Sequence, residues 1–218
     1  MRLGRPRTEA TAGLQARPGR RREPARGSVR LWPLGLLFVS MSVAANAAEV
    51  AGVRLSERLR LGTSELVLNG AGLRKRAFFK VYVAGLYLTE ESKAPAEVLA
   101  LLGPKRVSIT LMRNLPVVSL VNAMKAGIRD NSSPEEQQAL EGRVEELAAN
   151  LLAVRQGRKG DVISLDWLPD AGTLVAVNGE LKGNAIPGDD VYRAVLKVWL
   201  GDHPTSARLK KELLGQRE

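Results

Sequence analysis

From Val50 onward the apolar residues recur at two spacings, and the spacing changes in blocks: alternate positions first, then every third or fourth, then alternate positions again, and every third or fourth at the end. Strands, helices, strands and helices in that order, with no repeat period and no low-complexity linker, read as a single α+β domain. Val53 to Leu59 and Glu65 to Leu68 are expected to be short strands, with Asn69-Gly70-Ala71-Gly72 as a turn. Ala77 to Leu88 is the longest run rich in aromatic and β-branched residues, apolar on both faces, and should form a central strand covered on both sides. A period of two puts Phe78, Lys80, Tyr82, Ala84 and Leu86 on one face and Phe79, Val81, Val83, Gly85 and Tyr87 on the other. A lysine and a tyrosine on one face of a buried strand point to water or a ligand along part of it.

Ala94 to Leu102 predicts a short helix ended by Gly103-Pro104, and Arg106 to Met112 a strand. After Leu115-Pro116, Val117, Leu120, Val121, Met124 and Ile128 recur at helical spacing. Ser133-Pro134-Glu135-Glu136 then has the form of a capping box: N-cap serine, proline at N1, glutamate at N3. The helix it opens carries the stripe Leu140, Val144, Leu147 and Leu151, with Glu141, Arg143 and Glu145 on a solvated face, and should end near Gly157. Gly160 to Leu168 and Thr173 to Val177 are expected strands, and Asn178-Gly179 a type I′ hairpin turn into Glu180 to Lys182. Pro187 to Gly201 should be a helix offering Tyr192, Val195, Val198 and Trp199 for packing, and Pro204 to Leu214 a last short one.

Ahead of this domain, the apolar run from Leu31 to Val43 follows Arg30 and precedes Ala45-Asn46-Ala47, which is the pattern of a signal peptide cleaved after Ala47. Pro33, two serines and the shortness of the run argue against a membrane-spanning helix. The expected organisation is a basic extension and signal peptide over 1–47 and a domain over 48–218, exported to the periplasm. Residues 1–28 are long for a charged leader, and translation from Val29 is the alternative start. A twin-arginine signal fits poorly, because Arg20, Arg21 and Arg22 lie far from the apolar run.

Composition then removes most chemistries. Of the net charge of +10, residues 1–47 hold nine arginines against two acids, leaving only +3 on the other 171 residues, so nucleic acid is not an expected partner. Without cysteine there are no disulfides, thiolate metal sites or thiol nucleophiles, and a single histidine, His203, sits in an expected loop or helix cap; neither metal nor cofactor is expected. Asn69 to Gly72 is not followed by a helix, so it lacks the geometry of a phosphate cradle. What survives is Arg74, placed by this reading at the entrance to the strand that carries Tyr82. Arginine and tyrosine at the mouth of an apolar cleft supply a charge-assisted donor and a second hydrogen bond for a carboxylate or enolate, although an edge arginine and a packed tyrosine are also commonplace.

The stretch Leu66 to Leu88, with Gly70-Ala71-Gly72-Leu73-Arg74 and a strand running through Lys80 to Gly85-Leu86-Tyr87-Leu88, resembles the first core segment of the chalcone isomerase-like family. Val195 to His203, followed by Arg208-Leu209-Lys210-Lys211, resembles its last core helix, and the likeness runs from about 50 to 214. The resemblance implies an open-faced β-sandwich, an antiparallel sheet with helices layered on one face and a ligand cleft between. Family members are plant flavonoid isomerases or fatty-acid-binding relatives without isomerase activity. It implies that Arg74 faces the ligand, and that Tyr82, a threonine in the isomerases, joins it on a carboxylate as in the fatty-acid binders. Ser119, Ala126 and Val198 stand where the isomerases carry tyrosine, asparagine and threonine. The expected function is binding of a fatty acid or similar apolar carboxylate by Arg74 and Tyr82, without catalysis. An intramolecular lyase or isomerase acting on an enone, and an envelope interaction protein without ligand, are the alternatives. Membrane attachment is left open.

Overall fold

A computed structural model describes residues 47–216; the leader, its cleavage signal and the alternative start lie outside the described residues, apart from Ala47 itself. Seven strands form one antiparallel sheet. In chain order they are β3 (Arg58–Leu61), β4 (Ser64–Arg76), β5 (Phe79–Leu88), β6 (Lys105–Leu111), β9 (Val162–Leu168), β10 (Gly172–Val177) and β11 (Glu180–Leu181), and they lie in the sheet in that same order. β1 (Ala47–Val50) and β2 (Val53–Ser56) pair as a separate hairpin, and β7 (Leu115–Pro116) pairs with β8 (Gln156–Gly157). The helices are α1 (Pro95–Ala100), α2 (Val117–Asp130), α3 (Pro134–Leu152), α4 (Asp189–Leu200) and α5 (Ala207–Leu213). The expected α+β architecture, an antiparallel sheet with helices layered on one face, is therefore present.

β5 is covered on both sides, as its composition required. Tyr82, Ala84, Leu86 and Leu88 enter the main core with α2 to α5, whereas Val83 packs with Leu55 of β2 and Ala71, and Tyr87 with Leu61 and Leu66. The alternation breaks at Val81, the extra residue of a bulge opposite Arg74 and Lys75; Val81 packs against the same core as Tyr82, and Lys80 is exposed rather than sharing Tyr82's buried face.

The largest departure concerns Asn69-Gly70-Ala71-Gly72, which is not a turn but the middle of β4. Its glycines serve close approach: a Cβ on Gly70 would lie 2.2 Å from the Glu212 carbonyl oxygen, and one on Gly72 2.7 Å from the Glu212 Cβ, so α5 lies directly on the strand. Asn69 is the extra residue of a second bulge, and its buried amide donates to the Leu213 carbonyl at 2.8 Å while accepting from the Ser92 amide at 2.7 Å. The real turn is Ala77-Phe78, with Ala77 at φ +51°.

Local signals behave as read. Both bonds of the Ser133 capping box form, and Asn178 and Gly179 take φ +52° and +83°, as a type I′ turn needs. Arg143 departs from its expected solvated face: it reaches from α3 to the start of α4 and grips Asp190 with two 2.7 Å bonds, and this pairing, the first cause, lowers the Asp190 pKa.

Candidate functional site

Moving the turn from residues 69–72 to 77–78 changes how the two predicted site residues meet. Eight residues apart along one strand they would stand about 27 Å apart; on the two arms of a hairpin they are partners, Arg74 directly opposite Tyr82. The row Gly70, Gly72, Arg74 lies against Leu86, Ala84, Tyr82, so Arg74 takes the next position on the helix-covered face beyond the footprint of α5. Arg74 is half-buried, donates to the Lys75 carbonyl, and has no carboxylate partner among the described residues.

Tyr82 is 7% exposed, and its phenol oxygen accepts a 2.9 Å hydrogen bond from the indole N–H of Trp199 on α4. Indole N–H only donates, so this bond occupies a lone pair of the phenol and leaves the phenolic proton unspent. Burial raises the Tyr82 pKa, against the lowering effects of the Trp199 bond, the Arg74 charge and the Thr205 hydroxyl, and Tyr82 is therefore a donor throughout the neutral range. Thr205 is held there by its backbone, whose N–H donates to the Val198 carbonyl at 2.9 Å; its buried hydroxyl faces the Tyr82 phenol without forming a hydrogen bond of normal geometry. The loop that carries it is tied down by Asn131, which bonds both the N–H and the carbonyl of His203. His203 itself is exposed, in the loop after α4.

Tyr82, Trp199 and Thr205 supply the polar atoms of a cavity of about 60 Å³ whose other walls are apolar, among them Ile109, Leu120, Met124 and Val198. Its volume suits a carboxyl group. Ligand pockets for drug-sized molecules start near about 300 Å³, so a long acyl chain does not fit the cavity as it stands, between the sheet and the residues of α2, α3 and α4 that wall it. Sequence reasoning assigned Trp199 to packing and passed over Thr205. The need of a buried indole N–H for an acceptor was the signal available for Trp199, while nothing local marks Thr205. Ser119 is exposed, and Val198 brings a hydrocarbon wall where a hydroxyl would stand in the isomerases. Among the described residues no group of three or more histidine, aspartate or glutamate side chains converges as metal ligands would.

A family profile described as chalcone isomerase-like matches residues 47–215. The chain belongs to the chalcone isomerase-like family. The same fold appears in a fatty-acid binding protein of Arabidopsis thaliana, 15% identical, with a TM-score of 0.56 over 75% of this chain and 92% of that one. No curated protein sequence matches the chain. Within the chalcone isomerase-like fold, Arg74 and Tyr82 therefore form a cross-strand pair at the edge of the helix-covered face, with Trp199 and Thr205 beside the phenol.

Proposed function

We propose that this chain is an exported, non-catalytic chalcone isomerase-like protein that binds a fatty acid or similar apolar carboxylate, with Arg74 as charge partner and Tyr82 as hydrogen-bond donor. The observation that carries the reading is the direction of the Trp199 bond: because Tyr82 accepts it, the phenolic proton is not spent on Trp199, and the phenol stands beside the Thr205 hydroxyl at the edge of an apolar cavity where a ligand oxygen can accept from it. The buried Thr205 hydroxyl lines the same cavity, and Arg74, cross-strand partner of Tyr82 and without a carboxylate partner among the described residues, is the charge that would meet the head of an otherwise apolar ligand. The fold shared with a fatty-acid binding protein agrees with this reading.

The cavity wall supports the reading without catalysis. None of its lining residues is an acid or base that titrates near neutrality, and Tyr82, its pKa raised by burial, is a poor proton acceptor. Export rests on the leader pattern that ends at Ala47.

Organic extraction of protein purified from the bacterial envelope, followed by mass spectrometry, should recover an acyl carboxylate that is depleted in Arg74→Gln. The same sample should begin at Ala48. A protein that carries no acyl chain and gains none on incubation with free fatty acid would overturn the ligand assignment.

A further inference from the structure

We infer that the tip of the β4–β5 hairpin is a membrane-docking wedge that seats the protein on an anionic lipid surface. Phe78 is 99% exposed and Phe79 60%, adjacent in sequence at the apex of a tight turn. Ala77, at φ +51°, holds a conformation that alanine adopts only at a cost. Lys75, Arg76 and Lys80 project from the same tip, exposed to solvent, and Arg113 at the exit of β6 places its guanidinium 4.8 Å from the centre of the Phe79 ring.

Among the described residues none of Lys75, Arg76, Lys80 and Arg113 has a carboxylate partner, so the tip concentrates four uncompensated cations around its two aromatic rings. Projecting aromatic side chains ringed by uncompensated cations match a bilayer surface of negative charge: the rings enter the acyl boundary and the long basic side chains reach back to the phosphates. A nucleic acid fits less well, because single strands use grooves with aromatic platforms rather than an apex, and the domain as a whole is nearly neutral. A second copy of the chain fits less well too, since a stable interface buries about 800 Å² per partner and a two-residue tip offers little of that.

The register gives docking a consequence. Arg76 pairs with Phe79, Lys75 with Lys80 and Arg74 with Tyr82, so the carboxylate-binding pair lies two rows from the tip. Docking does not depend on the ligand reading: a protein could seat on lipid with its cavity unfilled, or take up an acyl chain from solution without touching a bilayer.

The chain has no cysteine, so Phe78→Cys accepts one environment-sensitive fluorophore at the apex and nowhere else. On the full chain, vesicles containing about one-third phosphatidylglycerol should shift the emission to the blue and brighten it, more weakly as salt is raised, and pure phosphatidylcholine should not. Lys75→Glu with Arg76→Glu, on the same labelled chain, should lower partitioning at least about twentyfold, at roughly fivefold for each charge. The N-terminal arginines are common to both proteins and cancel from the comparison, and matching thermal melts confirm that both are folded. No shift on anionic vesicles, an equal shift on phosphatidylcholine, an equal shift with a DNA duplex, or a shift produced by protein concentration alone would each overturn the proposal.

Discussion

The indole N–H of Trp199 donates to the phenol oxygen of Tyr82 across 2.9 Å, between the last long helix and the central strand, in a part of the core that water does not reach. Removing either partner leaves the other unsatisfied, so Trp199→Phe and Tyr82→Phe should each lose about 1–3 kcal/mol. The double variant should lose clearly less than the sum of the two. Urea unfolding of the four proteins measures the coupling, and strict additivity would mean that the bond contributes nothing.

Gly70 should tolerate a methyl group worse than Gly72. At Gly70 the added Cβ meets the backbone of Glu212 and Leu213 within 2.2 to 2.7 Å; at Gly72 it meets side chains only, the Glu212 carboxylate at 2.1 Å, the Glu212 Cβ at 2.7 Å and the Leu209 Cδ1 at 2.8 Å, of which the carboxylate and the leucine methyl can turn aside. Gly70→Ala is expected to cost about 3 kcal/mol or more by lifting α5, and Gly72→Ala about 1–2 kcal/mol, in the range of overpacked cores. Thermal unfolding that ranks them in reverse would contradict the packing described.

Lys105 is 4% exposed, with its ammonium donating to the Leu101 carbonyl. Burial, opposed by the charge of Asp189 and assisted by that of Arg193, pulls its pKa from about 10.5 down to about 8. Below pH 8 both folded and unfolded chains carry the proton, and the full penalty, about 3 kcal/mol, is present. Between pH 8 and 10.5 the unfolded chain binds more protons, so this group makes stability rise with pH. Lys105→Met should therefore be more stable than the wild type at pH 7, with an advantage that fades by pH 10. Denaturant unfolding at the two pH values tests it, and a difference independent of pH would count against it.

Ala123 is exposed on α2 at the rim of the cavity, and leucine there extends three more carbons over its opening without harming the helix. Ala123→Leu is expected to leave stability within about 0.5 kcal/mol and to lower fatty-acid affinity at least about tenfold. Fluorescence displacement of a bound fatty acid measures the second effect; unchanged affinity would place the ligand elsewhere.

How much of this was legible in the sequence depended on the range of the signal. The Ser133 capping box and the Asn178-Gly179 turn are set by side chains acting on their own backbone, and both formed as read. Asn69 to Gly72 misled because glycine looks the same whether it bends the chain or clears space for a distant helix; the helix it clears space for, α5, lies about 140 residues away. The sequence singled out Arg74 and Tyr82 but not their pairing across a hairpin, which follows from a turn at Ala77-Phe78 that carries no glycine. Thr205 was invisible because its role depends on a loop fixed by Asn131, more than seventy residues earlier.

The central claim is that the site reads a carboxylate head and not merely an apolar tail. Calorimetric titration with palmitate and with hexadecanol, which share a chain length and differ in the head group, tests it most directly. The wild type should bind palmitate more than about tenfold tighter, consistent with a charge-assisted pair. Arg74→Gln should abolish that preference while leaving hexadecanol binding nearly unchanged. Equal affinity for the two ligands in the wild type, or a palmitate preference that survives Arg74→Gln, would contradict the account.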